Sequence, residues 1–364
     1  MARISRNPFL TSLSFVLVAL LLMPAGLVLA NEANVFVYHR FNDSRYPSTN
    51  ITTEAFKDHL EMLKVEHFTV LTLGEVVARM RAGETLPERC AVISVDDGYL
   101  SFLTDGWPLL KQYGFPATLF VSTDTVGGSD FMDWQDLLLL QKEGVEIGNH
   151  SASHAYLLDL IPSESKSEWR TRVAEDLARS QGLFQKHLST SPRLFAYPYG
   201  EFSAELTGLI REAGFLAAFG QQSGVISEGQ DMHALPRFPV GGAYSAVSEF
   251  RSRLFMKSLP VQFKVHQDTL INDKNPPTLK FYLNSEVVDE RTLQCFVQGG
   301  AGCLLERGTG EDRAYSVKAL QPLVGRRSKY TVTASDTSGR VWYWYSQLWV
   351  LPRSRGVANE SVSR

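Results

Sequence analysis

Cysteine is scarce in this chain, three among 364 residues, and the spacing of Cys90, Cys295 and Cys303 excludes a zinc ribbon. Cys90 abuts an apolar run and reads as a buried thiol. Cys295 and Cys303 flank Gly299-Gly300-Ala301-Gly302, where a hairpin-closing disulfide suits an exported chain. An excess of positive charge is also missing. With 36 Lys and Arg against 39 Asp and Glu, the net charge of −3 offers nothing to draw nucleic acid or an anionic membrane. There are no internal repeats and no low-complexity segment. Long apolar character is confined to Phe9–Ala30, behind Arg3 and Arg6 and ending in Val28-Leu29-Ala30. That pattern predicts a signal peptide over residues 1–30, cleaved after Ala30 rather than kept as a membrane anchor. No cysteine stands at the cleavage point, which argues against lipidation. The remainder is expected to be periplasmic or secreted.

What is present is globular: 44% apolar and 21% charged residues. From Val35 to about Phe255, short apolar runs alternate with helical stretches. Val35–Tyr38, Ala91–Val95, Ala117–Val121 and Leu194–Ala196 read as strands. Phe56, Leu60 and Leu63 recur at helix spacing behind Thr52 or Thr53 as N-cap. Helical periodicity returns at Leu103–Tyr113, Trp169–His187 and Ala204–Glu212, with Gly114, Gly182 and Gly214 expected as left-handed caps. Strand–helix alternation implies a parallel sheet with its site at the carboxyl ends of the strands. After Pro260 the pattern becomes β-rich, through Val261–Val265, Thr278–Tyr282, Tyr330–Thr333 and Val341–Tyr345. A smaller all-β sandwich of immunoglobulin or fibronectin type is expected over 258–352, behind an α/β domain over 31–257. A polar tail, expected to be disordered, covers 353–364.

Three motifs carry chemistry. Ala91–Val95 ends in Asp96-Asp97-Gly98, and adjacent residues on a strand end face opposite ways. One carboxylate can therefore bind a cation while the other faces a substrate. His150-Ser-Ala-Ser-His154 puts two imidazoles on one face of a helical turn, at zinc-ligand spacing. No acid lies between them, so the zincin arrangement is absent and the base must come from elsewhere. Phe195-Ala-Tyr197-Pro198-Tyr199-Gly200 is the third, a fixed backbone followed by a sharp turn. His39 ends the first strand and should reach the same mouth. Trp134 offers a flat face for a sugar ring, and Tyr197 and Pro198 stand beside the turn as substrate-contacting candidates. Trp342–Tyr345 alternates between core and surface, with core packing preferred over a glycan-binding face.

The order of these motifs over residues 34–255 resembles the polysaccharide deacetylases of carbohydrate esterase family four, whose domain is a distorted (β/α) barrel. Val37–Phe41, Asn50–Thr52, Phe56, Phe131–Trp134 and Leu235–Arg237 are most similar to the exported branch acting on poly-N-acetylglucosamine. The resemblance implies an N-deacetylase of acetylated polysaccharide with one divalent metal, zinc by preference. It implies Asp96 as general base, Asp97, His150 and His154 as metal ligands, and the Tyr199 N–H as oxyanion donor. Many members carry an arginine where this chain has Ala196; Arg237 is the replacement proposed here. The family's Leu-x-His segment is absent, leaving Asp96, His39 or His233 as proton donor. Alternatives are an O-acetyl esterase on xylan or another glycan, and a glycan-binding protein with a decayed site. The β-sandwich is a candidate for glycan or envelope contact.

Overall fold

A strand that is apolar on both faces can be buried only between two layers. Cys90–Val95 is such a run, and all six of its residues are buried. The computed structural model describes residues 31–265, 267–271, 274–283, 286–300, 302–309 and 314–352. The expected signal peptide (1–30) and the C-terminal tail (353–364) lie outside the described residues.

The first region opens with β1 (Glu32–Tyr38), β2 (Arg40–Phe41), β3 (Asn50–Ile51), α1 (Thr53–Val65), β4 (Thr69–Leu71) and α2 (Leu73–Ala82). Then come β5 (Cys90–Val95), α3 (Trp107–Tyr113), β6 (Thr118–Val121), α4 (Trp134–Lys142), β7 (Glu146–Asn149) and α5 (Lys166–Leu188). It closes with β8 (Leu194–Ala196), α6 (Ala204–Glu212), β9 (Ala217–Phe219), β10 (Ile226–Ser227), β11 (Phe238–Pro239) and α7 (Val247–Leu254). The main sheet runs β10-β1-β5-β6-β7-β8-β9, with β4 beside β5 and β11 beside β1. Its pairings are parallel except that of β10 with β1. The sheet curls without full closure: its two ends approach through a single parallel bridge, Phe219 to Leu235. The parallel sheet expected from the alternation is present, and the distorted barrel that the resemblance implies takes the form of a half-barrel.

Local chemistry explains the helix ends. Thr52 caps α1 by accepting from the Ala55 N–H, and α1 then buries Phe56, His59, Leu60 and Leu63. Gly114 caps α3 in the left-handed conformation, as expected. Gly182 does not cap. It lies inside α5, which continues to Leu188 and ends on a left-handed Ser189. The buried contacts of Phe184 and Leu188 extend the apolar stripe past the glycine, and burying such side chains contributes about 1.5–3 kcal/mol each against about 1 kcal/mol for a mid-helix glycine.

The second region is all-β. It comprises β12 (Lys257–Ser258), β13 (Val261–Gln262), β14 (Thr278–Leu283), β15 (Gln294–Val297), β16 (Cys303–Arg307), β17 (Tyr315–Ala319), β18 (Arg327–Ser335) and β19 (Trp342–Val350). Two four-stranded sheets, β12-β19-β18-β15 and β13-β14-β17-β16, enclose Leu279, Phe281, Val317, Tyr330, Val332 and Trp349. A Cys295–Cys303 disulfide ties β15 to β16 and so joins the two sheets. Along β19 the aromatic run divides as its alternation suggests. Tyr343 and Tyr345 pack on this core, while Trp342 is exposed. Trp344 turns to the other region and meets Phe238 edge-on, with centroids 5.9 Å apart. Leu348 and Val350 sit in one apolar cluster with Trp169, Phe195 and Tyr197, so the two regions share a core. Among the described residues no helix is long and apolar enough to cross a membrane.

Candidate active site

Six chain segments meet at the carboxyl ends of the strands. β5 delivers the first. The Asp96 N–H still donates to the Tyr38 carbonyl, 2.9 Å, as a ladder bond. Asp97 then adopts φ 76° and Gly98 φ 80°. A left-handed aspartate is uncommon, and here it swings the second carboxylate out of the strand's alternation. Asp97 Oδ1 lies 3.3 Å from His150 Nε2 and 3.1 Å from His154 Nε2.

The histidines arrive on a loop, not on the helical turn their spacing suggests. His150 continues β7, its N–H donating to the Val121 carbonyl. Ser151 at φ 67° and His154 at φ 52° then bend the chain back. Side chains that the sequence did not single out hold this shape. Asn149 Oδ1 accepts from the Ser151 N–H and Ser151 Oγ from the His154 N–H. The buried Asp176 carboxylate on α5 accepts from the N–H groups of Ala152, 2.8 Å, and Ser153, 3.1 Å. His150 Nδ1 meets the Ala196 carbonyl at 2.8 Å, which assigns the proton to Nδ1 and leaves Nε2 for Asp97.

Asp97, His150 and His154 form a group whose ligand atoms all lie within 4.8 Å of one another. Two imidazole nitrogens and one carboxylate oxygen suit zinc. Ligands about 2 Å from a tetrahedral ion stand roughly 3.3 Å apart, which the two Asp97 contacts match. Among the described residues this is the one such group. Burial alone would raise the Asp97 carboxyl, but hydrogen bonds from both histidines outweigh it and hold the group well below the usual carboxylate range.

Asp96 has a different surrounding. It is fully buried, and Arg237, equally buried, grips it with Nη1 on Oδ1 at 2.7 Å and Nη2 on Oδ2 at 2.8 Å. Arg237 is itself fixed, with Nε donating to the Gly220 carbonyl at 2.9 Å. Burial pushes the Asp96 carboxyl up, yet the Arg237 guanidinium, with His150 beside it, brings it below the ordinary value. The arginine thus reaches Asp96 from the segment before β11, while Ala196 contributes its carbonyl to His150. His39, at the end of β1, completes this side. Its Nε2 lies 3.4 Å from Gln221 Nε2, whose amide also donates to Asp96 Oδ2 at 3.4 Å. His39 Nδ1 is buried with no hydrogen-bond partner. Burial lowers the His39 pKa, against the raising influence of Asp97 and Asp96. Gln221 follows Gly220 in what reads as plain loop, and no local pattern marks it.

The Pro198–Gly200 turn holds Tyr199 at φ 60° and Gly200 at φ 70°. A Cβ on Gly200 would fall 2.6 Å from the Gln221 backbone nitrogen, so the close approach of these two loops requires glycine. The Tyr199 ring meets His154 edge-on at 4.7 Å and stacks on Tyr156 at 3.9 Å. The substrate-contacting candidates fare differently. Tyr197 is wholly buried, its hydroxyl donating to the His233 carbonyl at 2.8 Å, and Pro198 is buried too. Both are scaffold, because the turn needs anchoring below its tip. Trp134 stacks on His187 at 4.5 Å and packs against Phe184, and is not brought to the cluster. His233 is buried with Nε2 on the Phe215 carbonyl at 3.0 Å, which removes it as a proton donor at the site.

The parallel α/β half-barrel thus presents, at its strand ends, an Asp-His-His donor set suited to a metal ion beside a guanidinium-gripped carboxylate. Residues 83–218 match the polysaccharide deacetylase family model. The chain is 26% identical over 220 residues to YxkH of Bacillus subtilis, whose name places it among the polysaccharide deacetylases; the match spans 59% of this chain and 75% of that one. It is 25% identical over 214 residues to the poly-β-1,6-N-acetyl-D-glucosamine N-deacetylase of Staphylococcus aureus, across 57% of this chain and 73% of that one. Two solved structures share the fold. The Streptococcus pyogenes deacetylase PplD aligns at TM-score 0.55 with 16% identity, over 62% of this chain and 99% of that one. IcaB from Ammonifex degensii aligns at TM-score 0.54 with 24% identity, over 62% and 97%. Over residues 83–218 the chain matches the polysaccharide deacetylase family, and the fold of the half-barrel is the one these relatives share.

Proposed function

We propose that this protein is an exported, metal-dependent enzyme that removes N-acetyl groups from a polysaccharide containing N-acetylglucosamine. The observation that carries the reading is the pairing of two differently held carboxylates. Asp97 faces two histidines, and its neighbour Asp96 is kept ionised by Arg237. The name of the Staphylococcus aureus relative supports the substrate, and the disulfide supports an oxidising compartment.

Asp97, His150 and His154 would hold the ion, zinc by the chemistry of the donors. When bound, it supplies Lewis acidity toward the acetamide carbonyl and the attacking water. The protein's own groups do the rest. Asp96 takes the proton of the attacking water, because its carboxylate is ionised and aimed by the Arg237 fork. The Tyr199 N–H serves as oxyanion donor from a turn already bent into shape. The departing amine takes its proton from Asp96, now protonated, or from His39 beside it. Released acetate should be measured across N-acetylglucosamine oligomers and acetylated xylan, with and without chelator. Acetate from the N-acetyl substrates alone, abolished by chelator, is the expected result. Release from xylan alone would make the enzyme an O-acetyl esterase.

A further inference from the structure

We propose that Arg326 and Arg327, at the start of β18 in the all-β region, are positioning residues of the deacetylase site. They hold the Tyr199 turn and Tyr156 against His154. In its kinetic part this rests on the deacetylase reading above.

The Arg326 guanidinium is mostly buried and spends its donors on two carboxylates. Nε donates to Glu201 Oε1 at 2.7 Å and Oε2 at 2.9 Å, and Nη2 to Glu201 Oε2 at 2.6 Å. Nη1 donates to Asp159 at 2.7 and 2.8 Å. The guanidinium also lies over the Tyr156 ring, 4.0 Å from its centroid. Arg327 donates from Nη1 to the Tyr199 carbonyl, and its Nε stands 3.6 Å from Glu201 Oε1. Glu201 is two residues beyond Tyr199, and Tyr156 is two residues beyond His154. The arginine pair therefore ties together the two loops that carry an oxyanion donor and a metal ligand. Contact passes on through the Tyr156–Tyr199 stack and the Tyr199–His154 edge.

Three physical points favour a positioning role over ordinary domain adhesion. Tyr199 sits at a left-handed φ, which is strained for a non-glycine residue and persists only where surroundings impose it. Only a planar fork can satisfy two carboxylates while stacking on a ring, so the interaction is geometric as well as ionic. The arginines are also rigidly mounted. The Leu351 N–H donates to the Arg326 carbonyl at 2.8 Å, and β18 pairs with β19 along its length, whose Leu348 and Val350 enter the core beneath the turn.

The test uses the full chain and two readouts: backbone hydrogen exchange in segments 152–160 and 197–203, and kcat and KM for acetate release. Arg326→Ala should raise exchange in both segments by roughly tenfold or more. It should lower kcat by roughly 10- to 100-fold and leave KM within about threefold, since the loss is one of alignment. Arg326→Lys, which keeps the charge but not the fork, should fall between. Lys257→Ala is the control. It removes a different link between the regions, Lys257 to Glu32 at 3.2 Å, at the start of β1, and should match wild type in both readouts. A folded Arg326→Ala with wild-type exchange in these segments overturns the proposal, and so does one with loosened segments and wild-type kcat. Should Arg326→Ala not fold, Arg327→Ala answers the same two questions, its side chain being 40% exposed. If the wild-type protein releases no acetate from any glycan, the deacetylase reading fails, and exchange alone decides the clamp.

Discussion

Asp96 and Asp97 carry the same side chain one residue apart, and their chemistry is divided by backbone geometry. Asp96 stays on the ladder and meets Arg237; Asp97 turns left-handed and meets the histidines. Each should respond differently to substitution. His150→Ala removes a donor from the candidate metal group and should lower zinc affinity by at least roughly tenfold in equilibrium titration, with the fold intact by circular dichroism. Arg237→Met leaves the Asp96 carboxylate buried without its partner, which should cost about 3–5 kcal/mol in urea unfolding. An unchanged midpoint would show that the pair does not matter to stability. The carboxylate pair and the histidine spacing were legible in the sequence because both are local. Gln221 and Asp176 are set by tertiary approach, and short-range patterns do not carry that information; Arg237 enters as the partner of Asp96 only through the family resemblance.

At the scale of elements, helix α1 reports on packing through His59. The imidazole is buried, stacked on Phe250 at 4.0 Å, with Nδ1 at the Tyr38 hydroxyl, 3.1 Å, and Nε2 at the Ser245 carbonyl, 3.0 Å. Burial pushes its pKa down from 6.5 to about 4, only partly opposed by Ser245. Between those two values the unfolded chain binds a proton that the folded one refuses, so stability falls as the pH drops from about 6.5 toward 4. His59→Gln should flatten that slope, by up to about 3 kcal/mol between pH 7 and pH 4 in denaturant unfolding. Equal slopes in the two proteins would contradict the assignment. The turn at Gly200 gives a second check. Gly200→Ala forces a Cβ toward Gln221 and should lower kcat by about tenfold or more, read against KM in the acetate assay. Element boundaries were legible where capping chemistry was explicit, as at Thr52 and Gly114. At Gly182 core contacts beyond the glycine overrode its local preference. The histidine loop departed from its helical reading because Asn149, Ser151 and Asp176 satisfy its backbone in another shape.

For the whole molecule, alternation of apolar runs made a parallel α/β region and an all-β region readable, and the resemblance supplied the barrel, whereas their joint core was not readable. Leu348 and Val350 look like ordinary strand residues until they are seen among Trp169, Phe195 and Tyr197. Because the core is shared, the two regions should unfold together, giving one calorimetric transition. Two separated transitions would mean that the regions are energetically independent. The central claim is that Asp97, His150 and His154 hold a metal while Asp96 handles the proton, on an N-acetylated glycan. Its most direct test is acetate release from poly-N-acetylglucosamine by wild type and by Asp96→Asn, with zinc binding measured on the same samples. The account predicts that wild-type release stops with chelator and returns with zinc. It predicts that Asp96→Asn binds zinc as tightly as wild type but loses at least roughly a hundredfold in rate. Release that survives complete removal of metal, or wild-type turnover by Asp96→Asn, would contradict it.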